Sequence, residues 1–337
     1  MVALENTLNE LVENGIISHV AVRVGMVDEI LYDTFRGNVD ENTLFDMASV
    51  TKVIVTTTLA LIGLDKGLIS LDDRVSNFYP TEKSITIKNL LTHTMGIGYK
   101  NLSEYGDRSG NVVQTILDIP SDVFIGSDVR YSCPGFILLG KILEKVYGKP
   151  LNECFDEMVA KPLELENTSF LPKNIKNAVN SNLDQDMLGI VNDYNCQFLG
   201  GVAGNAGLFS NLSDVTNYVY FLLNKGRPLI SEDTFLMAVQ NYTLGMSESR
   251  GLGFLYVDDR YQQTGGLFAE GTIGHCGHTG QSVFVDYRSG LYAIILSDAT
   301  VSTMKKYGKE HYNEVIEMRS RLHGAIKQDL NGRGMIF

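Results

Sequence analysis

The chain is short of positive charge. Its 337 residues hold 28 Lys and Arg against 40 Asp and Glu, a formal net charge of −12. The basic residues are scattered and form no stripe. Nothing therefore offers the charge that would neutralise nucleic-acid or anionic-membrane phosphates, and neither partner is expected. Cysteine is scarce as well. Cys133, Cys154, Cys196 and Cys276 make no C-x-x-C pair, and a chain of this length needs no disulfide staples, so free thiols are expected. No stretch approaches the roughly 18 apolar residues of a membrane span. The opening also lacks the basic segment and unbroken apolar run of a secretory signal. Its first charges are Glu5, Glu10 and Glu13, and Leu4, Leu8, Leu11 and Val12 recur at helical spacing. A cytoplasmic protein is the expectation.

Hydrophobic residues make up 44% of the chain, enough for a full core, which excludes a disordered or fibrous protein. At roughly 150 residues per domain, the length suits about two domains or one large α/β domain with an insertion. After the first helix, Val20, Val22 and Val24 alternate as in a strand. A turn at Asp28-Glu29 leads to a second strand, Ile30 to Arg36. From Ser49 to Asp65 the apolar residues go most of the way round a helix, as in a helix buried inside a large protein, and Gly67 supplies a stop. Helical pieces broken by Gly, Pro and Asn follow, one of them Pro134 to Gly148. Residues 174–205 read as loop, and Leu212 to Leu223 as a helix. Strands return at Gly251 to Val257, Gly271 to Cys276, Ser282 to Tyr287 and Leu291 to Ser297, with a hairpin turn at Arg288-Ser289-Gly290. Lys309 to Leu330 closes the chain as a helix with Val315, Met318, Leu322 and Ile326 inward.

Ser49-Val50-Thr51-Lys52 has the form S-x-x-K. Composition alone gives roughly one such match in a chain of this length, and Ser302-Thr303-Met304-Lys305 is a second. Their settings differ. Ser302 follows a strand in a polar segment with no long helix behind it, whereas Ser49 opens the buried helix. On a helix, residues three apart share a face, so Lys52 can reach the Ser49 hydroxyl. The positive end of the helix dipole favours a developing alkoxide on Ser49. One turn inside a buried helix, Lys52 loses solvation, which pushes a lysine pKa down towards the amine that acts as a base. The competing reading makes Ser49 only an N-cap.

Several ordered motifs accompany this one. They are Phe45-Asp46-Met47-Ala48 leading into Ser49; Gly67-Leu68-Ile69-Ser70-Leu71-Asp72-Asp73; Ile85 to Gly96, containing Leu91-Thr92-His93; Tyr131-Ser132-Cys133 before Gly135; Lys161-Pro162-Leu163; Gly200-Gly201-Val202-Ala203-Gly204; and a late Gly-His segment. Over most of its length the chain resembles the serine β-lactamase and penicillin-recognising hydrolase superfamily. The nearest branch is the class C β-lactamase-like one, which also holds esterases, D-amino-acid peptidases and DD-carboxypeptidase-like proteins. The fold this implies is an α/β (α+β) β-lactamase/transpeptidase-like one. An antiparallel sheet from residues 1–66 and 206–337, flanked by helices, would form a discontinuous domain, and 67–205 a mostly helical lobe. The active site would lie between them.

The resemblance implies the following roles. Ser49 is the nucleophile and Lys52 its base. Tyr131, from the family's Y-x-N element, relays protons between Ser49, Lys52 and the leaving group. The asparagine of that element is Cys133 here, which removes an amide that would bond the lysine and the acyl amide of a substrate. That departure bears on β-lactam or D-Ala-D-Ala recognition more than on acyl transfer. The strand element fits Gly274-His275-Cys276-Gly277-His278-Thr279-Gly280 with His275 at the active site, where with Tyr131 it would assist proton return to the leaving group. The His278 N–H would then join that of Ser49 as the oxyanion hole. Side-chain alternation along a strand sets His275 against His278 for a place in the pocket. Gly189 to Asn195 and Gly200 to Phe209 resemble a sub-branch of cell-wall-fragment amidases and carboxypeptidases. Asp193 and Asn195 match it, while Asn192 and Asn205 stand where histidines are usual, and this loop is expected to border the substrate. His93 is expected to bond loop backbone. Zinc on His275, Cys276 and His278 finds no ligand spacing to support it, and no metal or cofactor is implied. The absence of a G-x-S-x-G elbow argues against an α/β-hydrolase.

Two functions follow. The first is a serine hydrolase forming an acyl-enzyme on Ser49 with an amide or ester: a cell-wall peptide fragment, a D-amino-acid peptide or a small ester. The second is a catalytically silent relative that binds such a ligand. The complete set of Ser49, Lys52, Tyr131 and His275 favours the first.

Overall fold

The computed structural model describes residues 1–27, 29–108, 110–308 and 312–335. Nine strands are described: β1 (Val20–Met26), β2 (Glu29–Arg36), β3 (Phe45–Asp46), β4 (Ser169–Phe170), β5 (Leu208–Ser210), β6 (Leu255–Tyr256), β7 (Ile273–Cys276), β8 (Ser282–Val285) and β9 (Leu291–Ser297). Six of them form an antiparallel sheet in the order β2-β1-β9-β8-β7-β6. Both chain ends contribute to it, and β1 and β9 lie side by side, Val20 opposite Ser297.

Alternation along these strands divides the apolar side chains between two cores. Val20, Val22, Val24, Leu291, Ala293 and Ile295 face one side. Ala21, Tyr292, Ile294 and Leu296 face the other. The helices Val2–Glu13 and Tyr312–Gly332 cover the first face, with Leu4, Leu8 and Leu11 meeting Val315, Met318, Leu322 and Ile326. The helices Ala48–Asp65 and Leu212–Leu223 cover the second, and their core continues into Leu90, Leu91, Leu138 and Leu139 of the central helical block. A second, small sheet of order β3-β5-β4 was not anticipated. Its strand β3 leads directly into the Ser49 helix.

The Ala48–Asp65 helix opens as a 3-10 turn, widens to a π-helix over Lys52–Thr57 and ends as an α-helix from Thr58. By length and composition it could cross a membrane, contrary to the sequence expectation, but most of it is buried inside the protein, as a core helix would be. From Thr43 to Gly63 every residue is buried except Ser49.

The other elements differ from expectation mainly at their ends. The strand expected over Gly251 to Val257 shrinks to Leu255–Tyr256 because the Gly251 N–H turns back onto the Phe254 carbonyl. Gly253 there lies so close to the Ser49 helix that a Cβ would come within 1.8 Å of Thr57 Oγ1. Residues 174–205 are not all loop: Tyr194–Phe198 is a short helix, N-capped by Asp193. Two expectations, the turn at Asp28 and a helix start at Lys309, fall on residues outside those described.

Candidate active site

Ser49 Oγ lies at the meeting point of two donors. Lys52 Nζ donates to it at 2.9 Å and the Tyr131 hydroxyl at 2.7 Å. The two residues that share a helix face in the sequence do meet. Lys52 is fully buried, and its ammonium also donates to the Asn205 carbonyl at 2.9 Å and to Cys133 Sγ at 3.6 Å. The N-cap reading of Ser49 is not supported, because Met47 occupies the N-cap position and Ser49 lies inside the first turn.

Tyr131 precedes the Cys133–Tyr147 helix, whose N-cap Ser132 accepts the Gly135 N–H. His93 fixes the residues on either side of it. The His93 carbonyl accepts the Arg130 N–H at 2.8 Å and its Nδ1 accepts the Ser132 N–H at 2.9 Å. The imidazole also packs against the Tyr131 ring, with centroids 4.6 Å apart. His93 is thus a backbone support, as expected.

The end of β7 forms the opposite wall. His275 is buried, and its Nδ1 lies 2.7 Å from the Cys276 carbonyl. A carbonyl only accepts, so Nδ1 carries the proton and Nε2 is left as an acceptor. The strand ends at Cys276, so its alternation does not extend to His278. Both histidines line the cleft, His275 from the strand and His278 from the turn after it, where it stacks on Tyr312 at 4.9 Å. Gly277 sits flush against the entry to the Ser49 helix: a Cβ on it would lie 2.8 Å from the Met47 carbonyl oxygen. Thr279 Oγ1 and Gln281 Nε2 tie the same turn to the Asp46 carbonyl.

These groups border a cleft of about 580 Å³, lined by Ser49, Tyr131, Cys133, Asp193, His275 and His278 among others. Two expected substrate contacts differ. Asn195 is completely buried, with its carboxamide engaged by the Leu102 N–H and the Lys100 carbonyl, both at 2.8 Å, so it holds a neighbouring loop instead of facing substrate. Gly277 contributes backbone packing behind the lining. Asp193 does reach the cleft, and its carboxylate is fixed by the Cys196 N–H and Asn205 Nδ2.

The second S-x-x-K tetrapeptide lies, against expectation, on a helix, Ala299–Tyr307. Ser302 shares its hydrogen bond with Ser18, and Lys305 is exposed. Two contributions to the site had no sequence signal. Asn205 serves Lys52 through its backbone carbonyl, which any residue could supply. Arg250, 3% exposed, lies over the Tyr131 ring at 5.5 Å and bonds Glu248. Its neighbours in sequence carry no motif that marks it.

The beta-lactamase family model matches residues 4–315. The chain belongs to the beta-lactamase family. An Escherichia coli (strain K12) protein provisionally named a D-alanyl-D-alanine carboxypeptidase is 28% identical over 304 residues, covering 76% of this chain and 69% of that one. Esterase EstB of Burkholderia gladioli is 27% identical over 352 residues, covering 87% and 88%. Among solved structures, EstCE1, described as a hydrolase with promiscuous acyltransferase activity, superposes with a TM-score of 0.74 at 21% identity, over 96% of this chain and 98% of that one. The likeness extends to the fold, and the chain is a beta-lactamase-family hydrolase.

The electrostatics of this beta-lactamase-family site depart from the sequence argument at Lys52. Burial works to discharge its ammonium, but Cys133, Tyr131 and Asp193 outweigh burial and leave the pKa raised, not lowered. Burial also pushes up the Tyr131 hydroxyl and the Cys133 thiol. His275 is driven the other way, well below the usual histidine range, by burial and by the Arg250 and Lys52 cations. Asp46, buried beside the Ala48 N–H it accepts, is raised to about 6 by desolvation. Near neutrality the site therefore holds a Lys52 ammonium, a neutral phenol and a neutral imidazole.

Proposed function

We propose that this hydrolase works through an acyl-enzyme on Ser49 and cleaves amides or esters. The observation that carries the reading is the convergence of Lys52 Nζ and the Tyr131 hydroxyl on Ser49 Oγ, at 2.9 and 2.7 Å. Both groups donate to the same oxygen, so the resting site is one proton too rich. Loss of one proton from the Lys52–Tyr131 pair creates the base. That base takes the Ser49 proton as Oγ bonds to the substrate carbonyl carbon.

The oxyanion that forms is received by the N–H groups of Ser49 and His278. Among the described residues neither N–H has a hydrogen-bond partner, and Gly277 lies against the Ser49 helix entry, which supports the assignment. The proton held by the Lys52–Tyr131 pair then passes to the leaving amine or alcohol. Water attacks the acyl-enzyme by the same route in reverse and regenerates Ser49. His275 has no proton on Nε2 to return to the leaving group. That nitrogen is buried without a partner among the described residues, and His275 serves as part of the cleft wall beside Tyr131.

The substrate class we propose is a cell-wall peptide fragment, a D-amino-acid peptide or a small ester, in keeping with the names of the carboxypeptidase and esterase relatives. The test is turnover of p-nitrophenyl acetate and of D-amino-acid peptides by the protein and by Ser49→Ala. The reading requires turnover that Ser49→Ala abolishes. Binding of a peptide without turnover by either protein would instead make this a silent binder.

A further inference from the structure

Arg319 is completely buried on the closing helix, and it is among the largest side chains with no exposed surface. A buried cation is costly unless it is paired. Yet among the described residues its hydrogen-bond partners are all neutral. Nη1 donates to Gln263 Oε1 at 2.9 Å and to the Tyr312 hydroxyl at 3.5 Å, and Nη2 donates to the Gly277 carbonyl. The guanidinium also lies 5.9 Å from the Tyr312 ring, and the other contact of that ring is His278. Arginine does not deprotonate in proteins, so the positive charge persists.

The Gly277 carbonyl belongs to the same peptide group as the His278 N–H. A trans peptide is planar, with its C=O and N–H on opposite edges. Arg319 occupies the carbonyl edge, so the N–H points away from it. The rest of the turn is equally fixed. The Gly277 N–H is held by the Gln281 carbonyl at 2.9 Å, the Thr300 hydroxyl donates to the His278 carbonyl, and Thr279 Oγ1 reaches the Asp46 carbonyl at 2.9 Å.

We infer that Arg319 is a positioning residue for the oxyanion: it anchors and polarises the Gly277–His278 peptide, and its counter-charge is the negative oxygen of the tetrahedral intermediate. The inference rests on the reading that the His278 N–H receives that oxygen. A cation bonded to a peptide carbonyl draws electron density from the amide and strengthens its N–H as a donor. Fixed in place before substrate arrives, it adds stabilisation as charge develops and little in the ground state. Arg319 therefore acts on kcat through His278 without touching substrate.

The experiment is steady-state kinetics on a p-nitrophenyl ester, with inhibition by a boronic acid that becomes a tetrahedral anion on Ser49. It compares the protein with Arg319→Met and Arg319→Lys. Arg319→Met should lose about 10- to 100-fold in kcat with KM changed less than about twofold, and boronate affinity should fall in parallel. Arg319→Lys keeps the charge and should recover part of both losses. An unchanged kcat in folded Arg319→Met would overturn the inference. So would a loss that boronate affinity does not follow, or one that Arg319→Lys shares in full. Should Arg319→Met not fold, Arg319→Lys and the neutral Arg319→Gln are compared in the same way. If the unmodified protein turns over neither the ester nor D-amino-acid peptides, the acyl-enzyme reading has failed; if it turns over either and Arg319→Met matches it, only the role of Arg319 has failed.

Discussion

Lys52 lies one helical turn inside Ser49, with its Nζ 2.9 Å from the Ser49 hydroxyl, yet Lys52 is wholly buried while Ser49 opens from the helix to the cleft. The pairing of a hidden cation with an exposed nucleophile sets the protonation chemistry of the site. Asn205, Cys133 and Ser49 take all three ammonium protons. Removing one of those protons, or the phenolic proton of Tyr131, is what activates the serine.

The pH dependence follows from the raised pKa values of Lys52 and Tyr131. A base whose pKa is raised is protonated, and idle, until higher pH. The value of kcat/KM should therefore climb with a slope near one from about pH 6 to about pH 9, with no fall assignable to a histidine. Cys133 helps to raise Lys52, so Cys133→Ala should move the rise to lower pH. Rate profiles of the two proteins in matched buffers check both points. A profile already flat at about pH 6 would contradict the assignment.

His93 should matter to catalysis without touching substrate. His93→Ala removes the Nδ1 acceptor of the Ser132 N–H and the ring beneath Tyr131. We expect a stability loss of about 2–4 kcal/mol from the lost hydrogen bond and the cavity. A kcat loss exceeding any change in KM should accompany it, as Tyr131 drifts from Ser49. Urea denaturation and steady-state rates measure the two effects separately.

Acid should destabilise the fold through its buried histidines. His93 and His275 are pushed well below the usual histidine range, and His323, beside Ser282, is lowered to about 3, all chiefly by burial. Between those lowered values and about 6.5 the unfolded chain binds more protons, so stability is lost as pH falls through that window. Asp46, raised to about 6, acts in the opposite sense between about 6 and its ordinary value. With three histidines against it, the net slope should still be a loss. His323→Phe should flatten the dependence of the urea midpoint on pH below about 6.5.

Much of the site could be read from the sequence where periodicity carries it. The spacing of Ser49 and Lys52, the apolar face around them and the alternation in β1 and β9 all correspond to the structure. What could not be read depends on local geometry. Alternation ends with β7 at Cys276, so it could not decide between His275 and His278. Asn195 shares the cleft loop with Asp193, but its side chain points inward to backbone groups of another loop. The Lys52 pKa follows from groups distant in sequence, Cys133 and Tyr131, and burial alone gives the wrong sign. Arg250 and Arg319 reach the site from segments with no motif at all.

The most direct test of the Ser49 assignment is intact-mass spectrometry after reaction with a serine-directed fluorophosphonate, followed by peptide mapping. The account predicts a single adduct, on Ser49, that disappears in Lys52→Ala. An adduct on another residue, or none on a protein shown to be folded, would contradict it.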